Sequence, residues 1–163
     1  MLKNAAQTLD RHAIALRIPH QGNMCLLDTV LAWDAQSIHC QADNHRSPDH
    51  PLRAHGRLGA ACGIEYAAQA MAVHGTLVAQ AAQGDAAGSP PRSGYLAGVR
   101  AVTLHVDRLD TVAGPLLVNA QRITGDANTV LYGFSVQAGA QPLLTGRAIV
   151  VLDAQALTGR TQP

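Results

Sequence analysis

The sequence predicts an α+β fold in which an antiparallel β-sheet wraps around one long α-helix. Three observations lead to this prediction: two strand-like segments near the start, one long apolar helical segment after them, and four strand-like segments in the second half. The order β-β-α-β-β-β-β lacks the alternating strand and helix units of a doubly wound nucleotide-binding fold, and no Gly-rich phosphate loop occurs. We expect the inner face of the sheet and the helix to bury each other.

The strand-like segments consist of alternating or β-branched apolar residues between turn signals. Residues 24 to 45, "MCLLDTVLAWDAQSIHCQADNH", predict a hairpin with its turn at "WDAQS". The four later candidates are "GYLAGVRAVTLHVDRL", "PLLVNAQRIT", "TVLYGFSVQA" and "LLTGRAIVVLD", and the last three are joined by the turn sequences "GDAN" and "AGAQ". The last three segments are therefore predicted to be antiparallel strands joined by two hairpin turns.

The single long helix is predicted from about Ala60 to Gln83. The preceding segment, "RSPDHPLRAHGRLG", contains prolines and glycines that interrupt any regular element, and "GDAAGSPPRSG" ends the helix in the same way. The late histidine His74 is expected on the polar face of this helix.

Length and charge limit the possible classes of protein. At 163 residues the chain is predicted to be one domain, residues 1–163. With 12 Lys and Arg against 11 Asp and Glu, it lacks the positive field that nucleic acid or an anionic membrane surface requires. Asp10, Arg11 and His12 interrupt the apolar stretch that a signal peptide needs, and no segment is long enough to span a membrane, so a cytoplasmic protein is expected.

The cysteines and histidines show no pattern typical of a metal site. Cys25, Cys40 and Cys62 form no CxxC pair and are predicted to be buried small apolar residues. The eight histidines include no pair at metal-binding helical spacing, and a site built from His45, Asp49 and His50 is not favoured. We therefore expect no metal site.

One carboxylate stands out in the predicted helix. In "CGIEYAAQAMAVHG", Glu65 lies in an otherwise apolar stretch, where an unpaired charge would be costly to bury. Glu65 is therefore expected either to have a chemical function or to pair with another group, for example within a dimer interface.

Two segments together resemble the β-hydroxyacyl-ACP dehydratases of the hotdog fold. "IPHQGNMCLLDTV", residues 18 to 30, resembles the L-P-H-R-x-P-x-L-L-V-D-R-V segment of that family, and "HPLRAHGRLGAACGIEYAAQA", residues 50 to 70, resembles its H-x-P-G-x-P-x-x-P-G-x-x-x-x-E-x-x-A-Q segment. The similarity is greatest to a divergent subgroup from aryl polyene and related fatty-acid-type pathways. It covers a core of about residues 18–153, with a short N-terminal extension and a C-terminal tail, and it implies a hotdog fold.

The resemblance implies roles for six residues. Glu65 takes the position of the helix carboxyl, which acts on the substrate hydroxyl, and burial would help it to hold a proton. His50 takes the position of the catalytic base, although the spacing to Glu65 then requires a one-residue insertion, and His55 is the next candidate. The remaining positions are expected to lie near the substrate: Ala60, whose N–H would face the thioester oxygen, Gln69, one turn after Glu65, and His20, near the site entrance.

The resemblance also implies a reaction and partners. The expected reaction is dehydration of a 3-hydroxyacyl thioester on an acyl carrier protein to the trans-2-enoyl thioester. This reaction is expected to need no metal or organic cofactor, with the substrate presented on the phosphopantetheine arm of the carrier. A hotdog thioesterase and a non-catalytic acyl-carrier-binding protein remain alternatives, because this fold serves all three. Family members form dimers joined edge to edge, so a homodimer is expected. An acidic carrier protein would favour a basic rim, with these candidates: Arg46, Arg53, Arg57, Arg92 and Arg100.

Overall fold

A six-stranded antiparallel sheet curves around one long helix in the computed structural model, which describes residues 7–83 and 94–152. The strand order is β1-β2-β4-β5-β6-β3. The helices are α1 (Arg11–Ala15) and α2 (Gly63–Gln83), with 3-10 turns at Gly22–Met24 and Ala60–Cys62. The strands are β1 (Thr29–Trp33), β2 (Ser37–Ala42), β3 (Tyr95–Leu104), β4 (Leu116–Gly125), β5 (Thr129–Ala138) and β6 (Gln141–Val151). The predicted α+β class and element order are confirmed.

Local polar contacts explain where the hairpins turn. In the β1–β2 turn, Asp34 Oδ1 accepts hydrogen bonds from the N–H groups of Gln36 and Ser37 at 2.7 and 2.8 Å. In the β4–β5 turn, Asp126 Oδ1 accepts from Asn128 and Thr129 at 2.8 and 2.9 Å. An aspartate at the start of a turn stabilises it in this way. The turns predicted at "WDAQS" and "GDAN" thus form for a local reason.

The core lies between α2 and the inner face of the sheet. Alternate residues of the four middle strands point inward, as the period of two of a β-strand requires. The inward side chains include Ile38, Cys40, Leu116, Val118, Val130, Tyr132, Val136, Leu144 and Ala148. The facing helix contributes mostly small residues and a few large ones: Tyr66, Ala67, Ala70, Met71, Val73 and Leu77. Small side chains on α2 allow the helix to lie close to the sheet.

The cysteines follow the prediction in part. Cys25 and Cys40 are buried and free, whereas Cys62 is only half-buried. Burial raises the pKa of the Cys40 thiol to about 12, so this side chain behaves as an apolar group.

The core extends further toward the N-terminus than residue 18. Leu9 pairs with Val30 of β1 through two backbone hydrogen bonds of 2.9 and 3.1 Å, and Ile14 of α1 is completely buried. Asp10 caps α1 by accepting a hydrogen bond from Ala13 N–H at 2.9 Å. Asp10, Arg11 and His12 therefore lie at the start of a short helix. This helix has too few residues to show a helical period in the sequence.

His74 is not on a polar face of the helix, contrary to the prediction. It is buried on α2, with Nε2 at 2.8 Å from the Asp34 carbonyl and Nδ1 at 2.7 Å from Tyr132 Oη. The carbonyl can only accept, so Nε2 carries the proton and Nδ1 accepts from the tyrosine. Burial lowers the pKa of His74, which keeps the ring neutral.

Among the two described ranges, no helix is both long and apolar enough to cross a membrane.

Helix α2 meets the sheet closely at its start, where a Cβ added to Gly63 would overlap the side chain of Leu144. Near the middle of α2, a Cβ added to Gly75 would lie 3.5 Å from its nearest neighbour, in ordinary contact.

We predict opposite effects for the same substitution at these two glycines. Gly63→Ala should lower the free energy of unfolding by about 1–3 kcal/mol, because it overpacks the contact with Leu144. Gly75→Ala should raise it by about 0.5–1 kcal/mol, because alanine loses less backbone entropy in a helix. Urea denaturation of both variants tests this, and equal effects of one sign would contradict the close approach at Gly63.

We also predict that His74 makes stability depend on pH. Below about pH 6.5 an unfolded histidine takes up a proton that buried His74 resists, so the free energy of unfolding falls as pH decreases. The slope from this residue is at most about 1.4 kcal/mol per pH unit. Denaturation curves at about pH 7.5 and 5 should show a smaller decrease for His74→Gln than for wild type. His39→Gln, at an exposed residue of β2, is the control and should keep the wild-type slope.

Candidate active site

Glu65 lies in the first turn of α2 and pairs with His20 of the same chain. His20 Nε2 is 3.1 Å from Glu65 Oε1, and the two side chains are 30% and 34% exposed. Glu65 is thus partly open to solvent, which differs from its predicted burial. The partner that we expected for this charge in an apolar helix is therefore His20, which lies in the segment that precedes β1.

Gln69 joins this pair from one turn further along α2. Its Oε1 accepts from Leu26 N–H at 2.8 Å, and its Nε2 donates to the Met24 carbonyl at 2.8 Å and to Glu65 Oε1 at 3.3 Å. The side chain is buried. The structure therefore brings three predicted residues together, namely Glu65, His20 and Gln69. Gln69 was predicted to lie near the substrate, but its amide binds other residues of the protein.

His50 belongs to a different hydrogen-bonded chain. Its Nδ1 accepts from Leu52 N–H at 3.1 Å, and its Nε2 lies 2.8 Å from Tyr66 Oη, which donates to Asn44 Oδ1 at 2.5 Å. Because Nδ1 accepts, Nε2 carries the proton and donates to the tyrosine. Burial lowers the pKa of His50, and the nearby charges of Arg53 and His45 act in the same direction.

These hydrogen bonds leave His50 with no free lone pair that could accept a proton from a substrate. His50 is only 5% exposed, and both ring nitrogens form hydrogen bonds within the protein. Among the residues that the structure describes, no hydrogen bond or ion pair links His50 to Glu65. The geometry of this state therefore differs from what the predicted base requires.

The Ala60 N–H is also occupied. It donates to the Asp107 carbonyl at 3.0 Å, so it does not face a thioester oxygen as predicted. The next amide is that of Ala61, an exposed residue for which the described part of the chain supplies no acceptor. The first turn thus presents an N–H group one residue later than the sequence motif suggests.

An unpredicted aspartate fixes the loop before the helix. Asp110 is 4% exposed, accepts from Leu58 N–H at 3.0 Å and Arg108 Nε at 2.9 Å, and lies 3.7 Å from Arg53 Nη2. The hydrogen bonds from Arg108 hold the pKa of Asp110 far below its usual value. No sequence motif marked Asp110, because two of its three partners, Leu58 and Arg53, lie far away in the sequence.

The other candidates from the sequence lie at the surface. His55 is exposed at the tip of a tight turn and has a φ of 53°, in the left-handed region. Of the predicted basic rim, Arg57 and Arg100 are exposed, Arg46 lies 3.6 Å from Asp43, and Arg53 is held by Asp110. Arg92 lies outside the described residues.

A cavity of about 560 Å³ lies on the outer face of the sheet. Its polar lining includes His39, Asn119 and Arg147, and His39 Nδ1 is 2.7 Å from Asn119 Oδ1. These residues alternate with core residues along their strands, so the cavity lies on the face opposite α2 and Glu65.

Comparison with solved structures supports the fold. A chain of the dehydratase heterocomplex ApeI:P from Xenorhabdus doucetiae is 23% identical, with a TM-score of 0.76 and coverage of 90% of this chain and 95% of that one. A mutant thioesterase from Pseudomonas aeruginosa is 13% identical, with a TM-score of 0.52 and coverages of 74% and 76%. The PaaI protein of E. coli is 11% identical, with a TM-score of 0.53 and coverages of 75% and 80%. The predicted hotdog fold is confirmed.

A comparison of the sequence with family models identifies the family, although no curated protein sequence matches the chain. A family model described as ApeP dehydratase matches residues 12–158, which include both motif segments and the whole sheet. Because this match spans most of the chain, the protein belongs to the ApeP-like family of dehydratases.

Proposed function

We propose that the protein dehydrates a 3-hydroxyacyl thioester, carried on an acyl carrier protein, to the trans-2-enoyl thioester, and that Glu65 acts on the hydroxyl group. The observation that carries this proposal is the position of Glu65. It lies in the first turn of the central helix of a dehydratase-family protein, partly open to solvent and held by His20 and Gln69.

Dehydration requires three kinds of group. An acid protonates the leaving hydroxyl, a base removes the α-proton, and hydrogen-bond donors stabilise the enolate-like charge on the thioester oxygen. Glu65 supplies the acid. We assign the donor to Ala61 N–H, because the Ala60 N–H is bonded to Asp107 and because the positive end of a helix favours developing negative charge. This acid–base chemistry uses no metal or organic cofactor.

The base is best supplied across a subunit interface. His50 offers no free lone pair in this state, since Leu52 N–H and Tyr66 occupy both ring nitrogens. The ApeI:P dehydratase, which shares this fold, is a heterocomplex. A second hotdog subunit beside this one would bring further side chains to Glu65.

Strand β3 supports such an interface. It forms one edge of the sheet, and among the described strands it pairs only with β6. Leu96, Val99 and Leu104 are 42%, 38% and 48% exposed, although their register partners on β6 are buried in the core. An unpaired edge with an apolar inner face invites another strand. We propose that two copies of the chain join at β3, as expected for a homodimer.

The opposite edge of the sheet is already covered in part. Leu9 forms a two-bond bridge with Val30 of β1, so this edge offers fewer unpaired backbone groups than β3. The two edges therefore differ, and β3 is the edge suited to a partner.

The exposed cations Arg57 and Arg100 are available for the acidic surface of a carrier protein.

We predict that Glu65→Gln abolishes dehydration. Glutamine keeps the shape of the side chain but has no acidic proton, so the rate should fall by about 10²–10⁴-fold. Intact-mass measurement of a 3-hydroxyacyl carrier protein should show the loss of one water with wild type and not with the variant.

The same assay separates the alternatives. His39→Gln, on the outer face of the sheet, is the control and should react at the wild-type rate. Loss of the whole acyl group would indicate a thioesterase, and binding of the carrier protein without any mass change would indicate a non-catalytic protein. Either result would contradict the proposed reaction.

We predict that Val99→Lys weakens the dimer. A lysine in the apolar inner strip of β3 would place a charge in the proposed interface, and the dissociation constant should rise by at least about tenfold. Ile123→Lys, at a residue of β4 that is 51% exposed, is the matched control and should leave it unchanged. Sedimentation velocity measures both. A monomeric wild type, or equal weakening by the two variants, would argue against an interface at β3.

A further inference from the structure

We propose that His20 and Gln69 are positioning residues that together hold one oxygen of Glu65, Oε1, so that the other oxygen, Oε2, carries the reacting proton. This inference rests on the proposed function of Glu65 and specifies which atom reacts. It replaces the expectation that His20 and Gln69 bind the substrate.

The first step is the orientation of the Gln69 amide. Its Oε1 faces the N–H of Leu26 and its Nε2 faces the carbonyl of Met24, both at 2.8 Å. Exchanging the two ends would set a donor against a donor and an acceptor against an acceptor, so the orientation is fixed by its partners. The second N–H of Nε2 therefore donates to Glu65 Oε1, at 3.3 Å.

The second step is the proton on His20. Its Nε2 lies 3.1 Å from the same oxygen, Glu65 Oε1, which already accepts from Gln69. The other ring nitrogen, Nδ1, is buried and has no hydrogen-bond partner among the described residues. Buried N–H groups without partners are rarer than buried acceptors without partners. We therefore place the proton on Nε2, where it donates to Glu65.

The third step concerns the two oxygens of Glu65. With N–H donors from His20 and Gln69 directed at Oε1, an acidic proton on that oxygen would oppose both of them. The proton of the carboxylic acid therefore belongs on Oε2. After a base has taken the α-proton, the electron pair left on the α-carbon forms the C=C double bond and the substrate C–O bond breaks. The C–O bonding electrons leave with the hydroxyl oxygen, Oε2 transfers its proton to that oxygen, and water and the Glu65 carboxylate are formed.

This arrangement favours the reaction because both donors interact more strongly with the charged product than with the neutral acid. Hydrogen bonds to a charged acceptor are roughly twice as strong as those to a neutral one. Contacts that strengthen as charge develops accelerate a reaction, whereas contacts of constant strength do not. His20 and Gln69 thus stabilise the carboxylate as it forms, without touching the substrate.

Gln69 also fixes the place of His20. The amide binds Met24 and Leu26, which follow His20 in the same segment, so one side chain of α2 orients both the carboxyl group and the loop that carries its partner. Gln69 is buried, whereas His20 and Glu65 are both partly exposed, so the amide holds the carboxyl group from the core side.

The test compares two substitutions of His20. His20→Gln keeps an N–H donor near the position of Nε2 and should retain most of kcat, whereas His20→Leu has no donor and should lose about 10²-fold in kcat with little change in KM. Intact-mass kinetics on a 3-hydroxyacyl carrier protein measure both. Equal loss in the two variants would show that His20 acts as the base and would overturn the inference, as would wild-type kcat in His20→Leu.

Glu65→Gln in the same assay distinguishes this inference from the proposed function. If Glu65→Gln is inactive and His20→Leu has wild-type kcat, only the inference fails. If Glu65→Gln is fully active, both the inference and the assigned role of Glu65 fail. A readout that needs neither activity nor a variant is the ¹⁵N chemical shifts of the His20 ring in the free protein. A proton on Nε2 supports the inference, and a proton on Nδ1 overturns it.

Discussion

A single buried amide, Gln69, determines how the N-terminal segment passes over the central helix. A buried amide is costly unless its polar atoms are paired, and here its two ends meet the backbone of Met24 and Leu26. This pairing fixes the path of the chain between α1 and β1 against α2. His20 reaches Glu65 because its segment is attached at this point. The polar arrangement at the helix start therefore follows from one side chain that packs as part of the core.

The start of α2 is held from the other side by backbone and charge. Ala60 N–H binds the Asp107 carbonyl, Leu58 N–H binds Asp110, and Asp110 is in turn surrounded by arginines. The loop that carries His50 is closed by a third network through Tyr66 and Asn44. Several of these contacts join residues that are far apart in the sequence, such as Ala60 with Asp107 and Leu58 with Asp110. Together they fix the first turn of the helix before any substrate is bound, as a preorganised site requires.

Periodicity and motif resemblance predicted the strands, the long helix and Glu65, because these depend on neighbouring residues or on a short pattern. The contacts of Glu65 could not be predicted in this way. His20 meets it across 45 residues of chain, and the occupancy of the Ala60 N–H depends on Asp107, which belongs to a later loop. His50 is present at nearly the expected spacing, but only the fold shows that Tyr66 and Leu52 N–H occupy its ring. Short helix α1 was missed because five residues carry too little periodic signal.

The hydrogen bond from His74 to Asp34 has a consequence for local unfolding. It connects the middle of α2 to the turn between β1 and β2, which is otherwise attached to the sheet mainly through β4. Segments joined by buried polar contacts open together, since separating them leaves both groups without partners. We therefore expect the hairpin at this end of the sheet and the centre of the helix to form one cooperative unit, whose amide protons exchange with solvent through a common opening event.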